Sequence, residues 1–255
     1  MLLRLVLTLC ATMFALTAFA ADVVNLDTPR GAKLELLLDI PASDKPVPAI
    51  LIAPGQGYHA RLPLFDRIAE LATANGIAVV RFNWSYFTAD SKNGKPSEKL
   101  VREIEEMEIA RAWLRNSKKF DPKRIAIAGK SLGSIVAWQV FERDAEAGAL
   151  LLLTPVCIDT SKESPRDATL DNYTGLQSVN RPLLLLAGDS DTLCPTEFLY
   201  AAAVRLKTSP RVVVVGGDHG FGDKSAKDFE KTRSANLNLA ARSSIDFVLK
   251  HFIQR

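Results

Sequence analysis

The stretch "RIAIAGKSLGSIVAWQVFERD" runs from Arg124 to Asp144. Its first part, RIAIAG, is short, apolar and β-branched, and reads as a buried strand. Its last part carries Leu132, Ile135, Val136, Val140 and Phe141 near helical spacing. Between them lies Gly129-Lys130-Ser131-Leu132-Gly133. A Gly-x-Ser-x-Gly match arises by chance in a chain of this length about one time in ten, so the five residues alone decide little. Their context decides more. A strand that turns sharply into a helix strains the residue at the corner and exposes its side chain at the helix N-terminus. Gly129 and Gly133 are small enough to let strand and helix pass closely. Ser131 is therefore a candidate nucleophile rather than a serine in an ordinary turn.

Working outward, strand-like and helix-like segments alternate almost to the end of the chain. Residues 33–40, 48–54, 77–84, 124–129, 149–155, 182–188 and 211–217 read as strands. Most are continuously apolar, as in strands covered on both faces. Residues 62–76 read as an amphipathic helix stopped by Asn75-Gly76. Ser97 is a plausible N-cap for a helix whose core stripe is Leu100, Ile104, Met107 and Leu114. Further helices are expected over 132–143, near 195–207, and over 234–253. This alternation predicts an α/β fold: a mainly parallel, doubly wound sheet with helices on both faces. The irregular stretches near 84–96 and 156–181 are too short for a large cap domain, though each is long enough for a small lid.

The chain has 255 residues, 47% hydrophobic and 24% charged, which suits one soluble domain with a sizeable core. Residues 1–20 stand apart. Arg4, an apolar run and Ala18-Phe19-Ala20 have the layout of a signal peptide cleaved before Ala21. The expected organisation is a signal at 1–20 and a domain over 21–255, exported to the periplasm or secreted, with no stable membrane insertion after cleavage. A formal net charge of +3 and the lack of a long basic run give no basis for nucleic-acid binding. Three scattered histidines and no Cys–His spacing argue against a zinc site, and no metal or organic cofactor is expected. Without Cys10, the pair Cys157 and Cys194 remains. Both follow strand ends, and a disulfide and two buried free thiols both fit. The oligomeric state is not encoded in any of these features.

A serine hydroxyl needs a base, and the base needs an acceptor that fixes its tautomer. In a parallel sheet the loops at the carboxyl ends of strands share one edge. Two such loops carry the required groups: LLLLAGDSDTLCP offers Asp189 and Asp191, and VVVVGGDHGFG offers His219. In this order the assembly resembles the α/β-hydrolase superfamily, and within it the small cap-less serine hydrolases similar to dienelactone hydrolases. The resemblance covers nearly the whole chain after residue 20. It implies Asp191 as the acid of a Ser131–His219–Asp191 triad, with Asp189 bracing its loop. It also implies two backbone N–H donors for an oxyanion, at Leu132 and, in the PGQGYH loop, at Gln56. Where such hydrolases have His-Gly this chain has Pro54-Gly55. Tyr58 and His59 fit either a pocket lining or a loop surface, and His251 is expected in solvent. Lys130 fits an exposed lysine better than one selecting an anionic substrate. The implied activity is hydrolysis of a small-molecule ester or other acyl substrate. Peptide or thioester cleavage uses the same groups, and a binding protein that keeps the fold without turnover is a further alternative.

Overall fold

A computed structural model describes residues 22–158 and 168–253. The expected signal segment at 1–20 and its cleavage site lie outside these residues. One sheet of eight strands organises the rest, in the spatial order β1-β2-β4-β3-β5-β6-β7-β8. The strands are β1 (Asp22–Asp27), β2 (Lys33–Asp39), β3 (Val47–Ala53), β4 (Ala78–Phe82), β5 (Phe120–Lys130), β6 (Ala149–Leu153), β7 (Leu183–Gly188) and β8 (Arg211–Val215). From β4 to β8 every neighbouring pair is parallel, whereas β1 and β2 join antiparallel at one edge.

The helices are α1 (Pro63–Ala74), α2 (Ser85–Ala89), α3 (Val101–Asn116), α4 (Leu132–Arg143), α5 (Thr196–Ala203) and α6 (Phe229–Phe252). The period of two along each strand assigns the layers. Leu51, Ile127 and Leu152 pack on one face with Met107, Val136 and Phe141. Ile50, Ile52, Ala128 and Leu151 pack on the other with Phe65 from α1 and Phe247 from α6. Continuous apolar strands are thus explained by helices on both sides.

Three departures from the sequence reading have local causes. Strand β1 was not expected: it is half exposed along its length, with only Val24 and Leu26 reaching the core, so its apolar signal is weak. Helix α6 begins five residues before 234, because Asp228 caps it by accepting from Lys231 N at 3.1 Å; a carboxylate at this position satisfies an N–H of the first turn. Helix α3 buries Glu103 and Glu106 beside its apolar stripe. Glu106 accepts from Ser85 N at 3.0 Å and Glu103 from Ser97 N at 3.1 Å, pinning the loop that leaves β4. That loop holds the single-turn helix α2, and the described part of 156–181 holds short 3-10 turns at Asp171–Tyr173 and Leu176–Ser178. Among the described residues no insertion is large enough to form a cap domain.

Candidate active site

Strand β5 delivers Ser131 to the carboxyl edge of the sheet. Ser131 N donates to Leu153 O at 3.0 Å, continuing the ladder to β6, and Ser131 O then accepts from Ser134 N at 2.8 Å as α4 begins. Meeting both demands places Ser131 at φ 56, ψ −127, a region that costs a non-glycine residue about 1–3 kcal/mol. The flanking glycines are sterically required. A Cβ at Gly129 would strike the Gly133 carbonyl, and one at Gly133 would strike the Ala53 and Pro54 carbonyls. The corner is therefore held between α4 and the end of β3.

Leu132 is the first residue of α4, so its N–H has no intrahelical acceptor. Facing it is the 54–58 loop. Pro54 O accepts from the buried Trp84 Nε1 at 2.9 Å, which anchors the loop at the position where the resembled hydrolases have a histidine. Gly55 lies so close that a Cβ there would come within 2.9 Å of Ser131 Cβ. Gln56 and Gly57 form the exposed tip, with Gly57 at φ 70.

His219 and Asp191 come from the loops after β8 and β7. His219 Nδ1 lies 2.8 Å from Asp191 Oδ2. Asp191 is 3% exposed, and its other oxygen accepts from Leu193 N at 2.9 Å. His219 Nε2 is buried and has no hydrogen-bond partner among the described residues. Asp189 is exposed and accepts from Gly217 N and Ser190 Oγ, both at 2.9 Å, so it ties the β7 and β8 loops together. The other two histidines lie elsewhere. His59 is exposed and accepts from Arg61 N at 3.1 Å. His251 is not simply solvated as expected: one turn along α6, its ring meets Phe247 edge-on at 4.7 Å, the usual i, i+4 contact.

Lys130 corrects the expectation of an exposed lysine. It is 4% exposed. Its Nζ donates to Thr154 Oγ1 at 3.0 Å and to His219 O at 2.8 Å, and lies over the rings of Tyr58 and Phe221 at 5.1 and 5.9 Å. Burial pulls its pKa down to about 8, against the opposing pull of Asp191 and Asp218. Sequence reasoning also missed a buried hydroxyl network under the elbow. Ser134 Oγ donates to Ser131 O at 2.5 Å and meets Tyr173 Oη at 2.7 Å, and Tyr173 Oη accepts from Val156 N at 2.8 Å. Burial pushes the Tyr173 phenol far above its ordinary value, so it stays a neutral donor.

Cys157 and Cys194 form a disulfide. Cys157 N donates to Leu193 O at 2.7 Å, so the bond secures the loop that carries Asp191. With a sequence separation of 37, closing this loop removes about 4 kcal/mol of unfolded-state entropy in the chain-entropy model. The Cys157→Ser/Cys194→Ser double variant is expected to unfold at a clearly lower urea midpoint, matching wild type unfolded in the presence of reductant. Equal midpoints with and without reductant would show that the bond contributes nothing to stability.

An α/β-hydrolase is what this sheet, elbow and His–Asp pair define together. The chain belongs to that family: residues 46–249 match a family model described as an alpha/beta hydrolase domain. An uncharacterized protein of Mycobacterium tuberculosis (strain ATCC 25618 / H37Rv) is 32% identical over 186 residues, 67% of this chain. The chain spans 62% of the length of that relative. The quorum-quenching protein AidA of Acinetobacter baumannii is 35% identical over 95 residues, 36% of this chain and 30% of its own. Among solved structures, Est1E of Butyrivibrio proteoclasticus with ferulic acid bound superposes with a TM-score of 0.68 at 19% identity, covering 89% of this chain and 98% of that one. XC6422 of Xanthomonas campestris, described as a serine hydrolase without lid, gives 0.62 at 17% identity, covering 92% and 96%. At such identities the likeness is one of fold.

Proposed function

We propose that this α/β-hydrolase is a serine esterase, with Ser131 as nucleophile, His219 as base and Asp191 as the group that orients the base. The observation that carries the reading is the pairing of His219 Nδ1 with the buried Asp191 while Nε2 is left without a partner, on the sheet edge where the strained Ser131 sits. A carboxylate on Nδ1 fixes the tautomer with its lone pair on Nε2, the nitrogen that must take the serine proton. Ser131 Oγ then attacks the acyl carbonyl carbon, and its proton passes to Nε2. The carbonyl oxygen gains the negative charge, and the Leu132 and Gln56 N–H groups stabilise it. Collapse expels the alcohol, protonated from Nε2, and leaves an acyl-serine. Water, deprotonated by the same nitrogen, releases the acid. Every step is acid–base and nucleophilic chemistry of the chain's own side chains, two backbone N–H groups and water.

Esters are favoured over amides as the default because an ester carbonyl is less stabilised by resonance than an amide carbonyl and is the more readily attacked. Structures of the same fold include a thermophilic esterase of Thermogutta terrifontis with butyrate bound. Export is part of the proposal: residues 1–20 have the layout of a signal, and the Cys157–Cys194 bond suits an oxidising compartment. A mature N-terminus at Ala21 by mass spectrometry supports export, and intact Met1 on the soluble protein refutes it.

The deciding experiment labels purified wild type with a fluorophosphonate and maps the modified residue, alongside panels of p-nitrophenyl esters, thioesters and peptides. Labelling at Ser131 with fastest turnover of oxygen esters is expected. Labelling with preferential peptide or thioester cleavage would keep the nucleophile and change the reaction. A folded protein that resists labelling and turns over nothing would make this a binding protein on a hydrolase fold.

A further inference from the structure

Five non-glycine residues among those described have a positive φ: Lys99, Leu100, Ser131, Thr154 and Phe221. Three of the five adjoin Lys130. Ser131 follows Lys130, Thr154 accepts from Lys130 Nζ, and Phe221 lies under the same ammonium. Thr154 matters most here. It is fully buried and β-branched at φ 43, a genuine outlier for such a residue. Strain of this kind persists only where the surroundings over-determine it, and it clusters at functional sites. The acceptor that Thr154 presents, at 3.0 Å, and the His219 carbonyl, at 2.8 Å, are the two partners of one buried cation.

We propose that Lys130 is a positioning residue for the base: its buried ammonium, held by Thr154 and the Tyr58 and Phe221 rings, fixes the His219 backbone and so sets the imidazole against Ser131. The proposal rests on His219 being the base. The geometry is economical. Lys130 is joined to Ser131 by one peptide bond, so a bond from its side chain to His219 O couples nucleophile and base directly. Its contact with Tyr58 extends the coupling to the loop that carries the Gln56 N–H. A cation between aromatic faces gains from both quadrupoles when desolvated, which offsets part of the cost of burying it.

The charge gives the proposal a signature that simple packing lacks. The groups facing the ammonium are Asp191, Asp218, the Arg233 guanidinium on α6, the Tyr58 phenol and His219. Burial and the two carboxylates raise the Tyr58 phenol, so above neutrality the lysine is expected to lose its charge before the phenol does. Its folded value of about 8 lies below the ordinary 10.5. Between these values the unfolded chain binds the extra proton, so this group's contribution to stability rises with pH. Activity should fall through about pH 8 while this contribution to stability rises, and the two opposite trends separate positioning from unfolding.

The test measures kcat and KM with a p-nitrophenyl ester from pH 6.5 to 9.5, with melting temperature at each pH, for wild type, Lys130→Met and Thr154→Val. At pH 7, Lys130→Met should lose on the order of 100-fold in kcat, the scale of a misplacement of about 1 Å, with KM within about threefold. The alkaline fall seen in wild type should be absent from this variant. Thr154→Val removes an acceptor of the ammonium and should move the fall to lower pH, a readout that stands even if Lys130→Met does not fold. A folded Lys130→Met with kcat within threefold of wild type overturns the proposal. So does an alkaline fall that persists in Lys130→Met or stays in place in Thr154→Val. Fluorophosphonate labelling of wild type keeps the two readings apart: no labelling sinks the esterase itself, whereas labelling with an indifferent Lys130→Met sinks only the positioning role.

Discussion

Ser131→Ala is expected to lose on the order of 10⁶-fold in kcat, along with all fluorophosphonate labelling, while folding as wild type does. Loss of the nucleophile from a serine triad costs about this much, and the remaining rate over water comes from oxyanion donors and binding. The fold should survive because the elbow is shaped by backbone bonds, Ser131 N to Leu153 O and Ser134 N to Ser131 O, and these do not need the hydroxyl. Alanine at φ 56 inherits the strain of the corner, whereas glycine visits this region freely. Ser131→Gly should therefore melt above Ser131→Ala although both are inactive, since relief of about 1–3 kcal/mol of strain exceeds the entropic cost of glycine, about 0.5–1 kcal/mol. A Ser131→Ala protein that retains a tenth of wild-type turnover, measured on material free of contaminating esterases, would place the nucleophile elsewhere.

Much of this arrangement was legible in the sequence, and the reason is geometric. Strands buried on both faces write themselves as unbroken apolar runs. In a parallel sheet their carboxyl ends must meet at one edge, so the strand order alone assigns Ser131, Asp191 and His219 to one region. The surroundings of Lys130 were not legible, because they are tertiary. Thr154 and His219 lie 24 and 89 residues away along the chain, and the Tyr58 ring comes from a loop preceding β5. A lysine inside a glycine-rich pentapeptide has the composition of an exposed turn. The strand read over 124–129 runs one residue further, so Lys130 pairs with Leu153, and its side chain is covered by Tyr58, Thr154 and Phe221 from three separate loops. The Ser134–Tyr173–Val156 network escaped for the same reason, since hydroxyls in a helix and a loop announce no partner.

The acid of the proposed triad provides the second large effect, and it separates two aspartates only two residues apart. Asp191→Asn is expected to lower kcat by about 10⁴-fold, the loss seen when a triad carboxylate becomes an amide. Asn can donate to Nδ1, which selects the tautomer with its proton on Nε2, and a neutral amide does not stabilise the imidazolium that forms as Ser131 attacks. Asp191 Oδ2 is the atom 2.8 Å from His219 Nδ1, and the carboxylate is shielded from water, so solvent cannot take its place. Asp189 is exposed, and its carboxylate meets a backbone N–H and a hydroxyl rather than the imidazole. Asp189→Asn keeps a carbonyl oxygen able to accept both bonds and should cost no more than about tenfold in kcat, with a small fall in melting temperature from weaker hydrogen bonds. Steady-state kinetics on both variants, with circular dichroism to establish folding, decides between them. If Asp189→Asn proved the more damaging while both stayed folded, the 2.8 Å contact would be a bystander and the acid of the site would be Asp189.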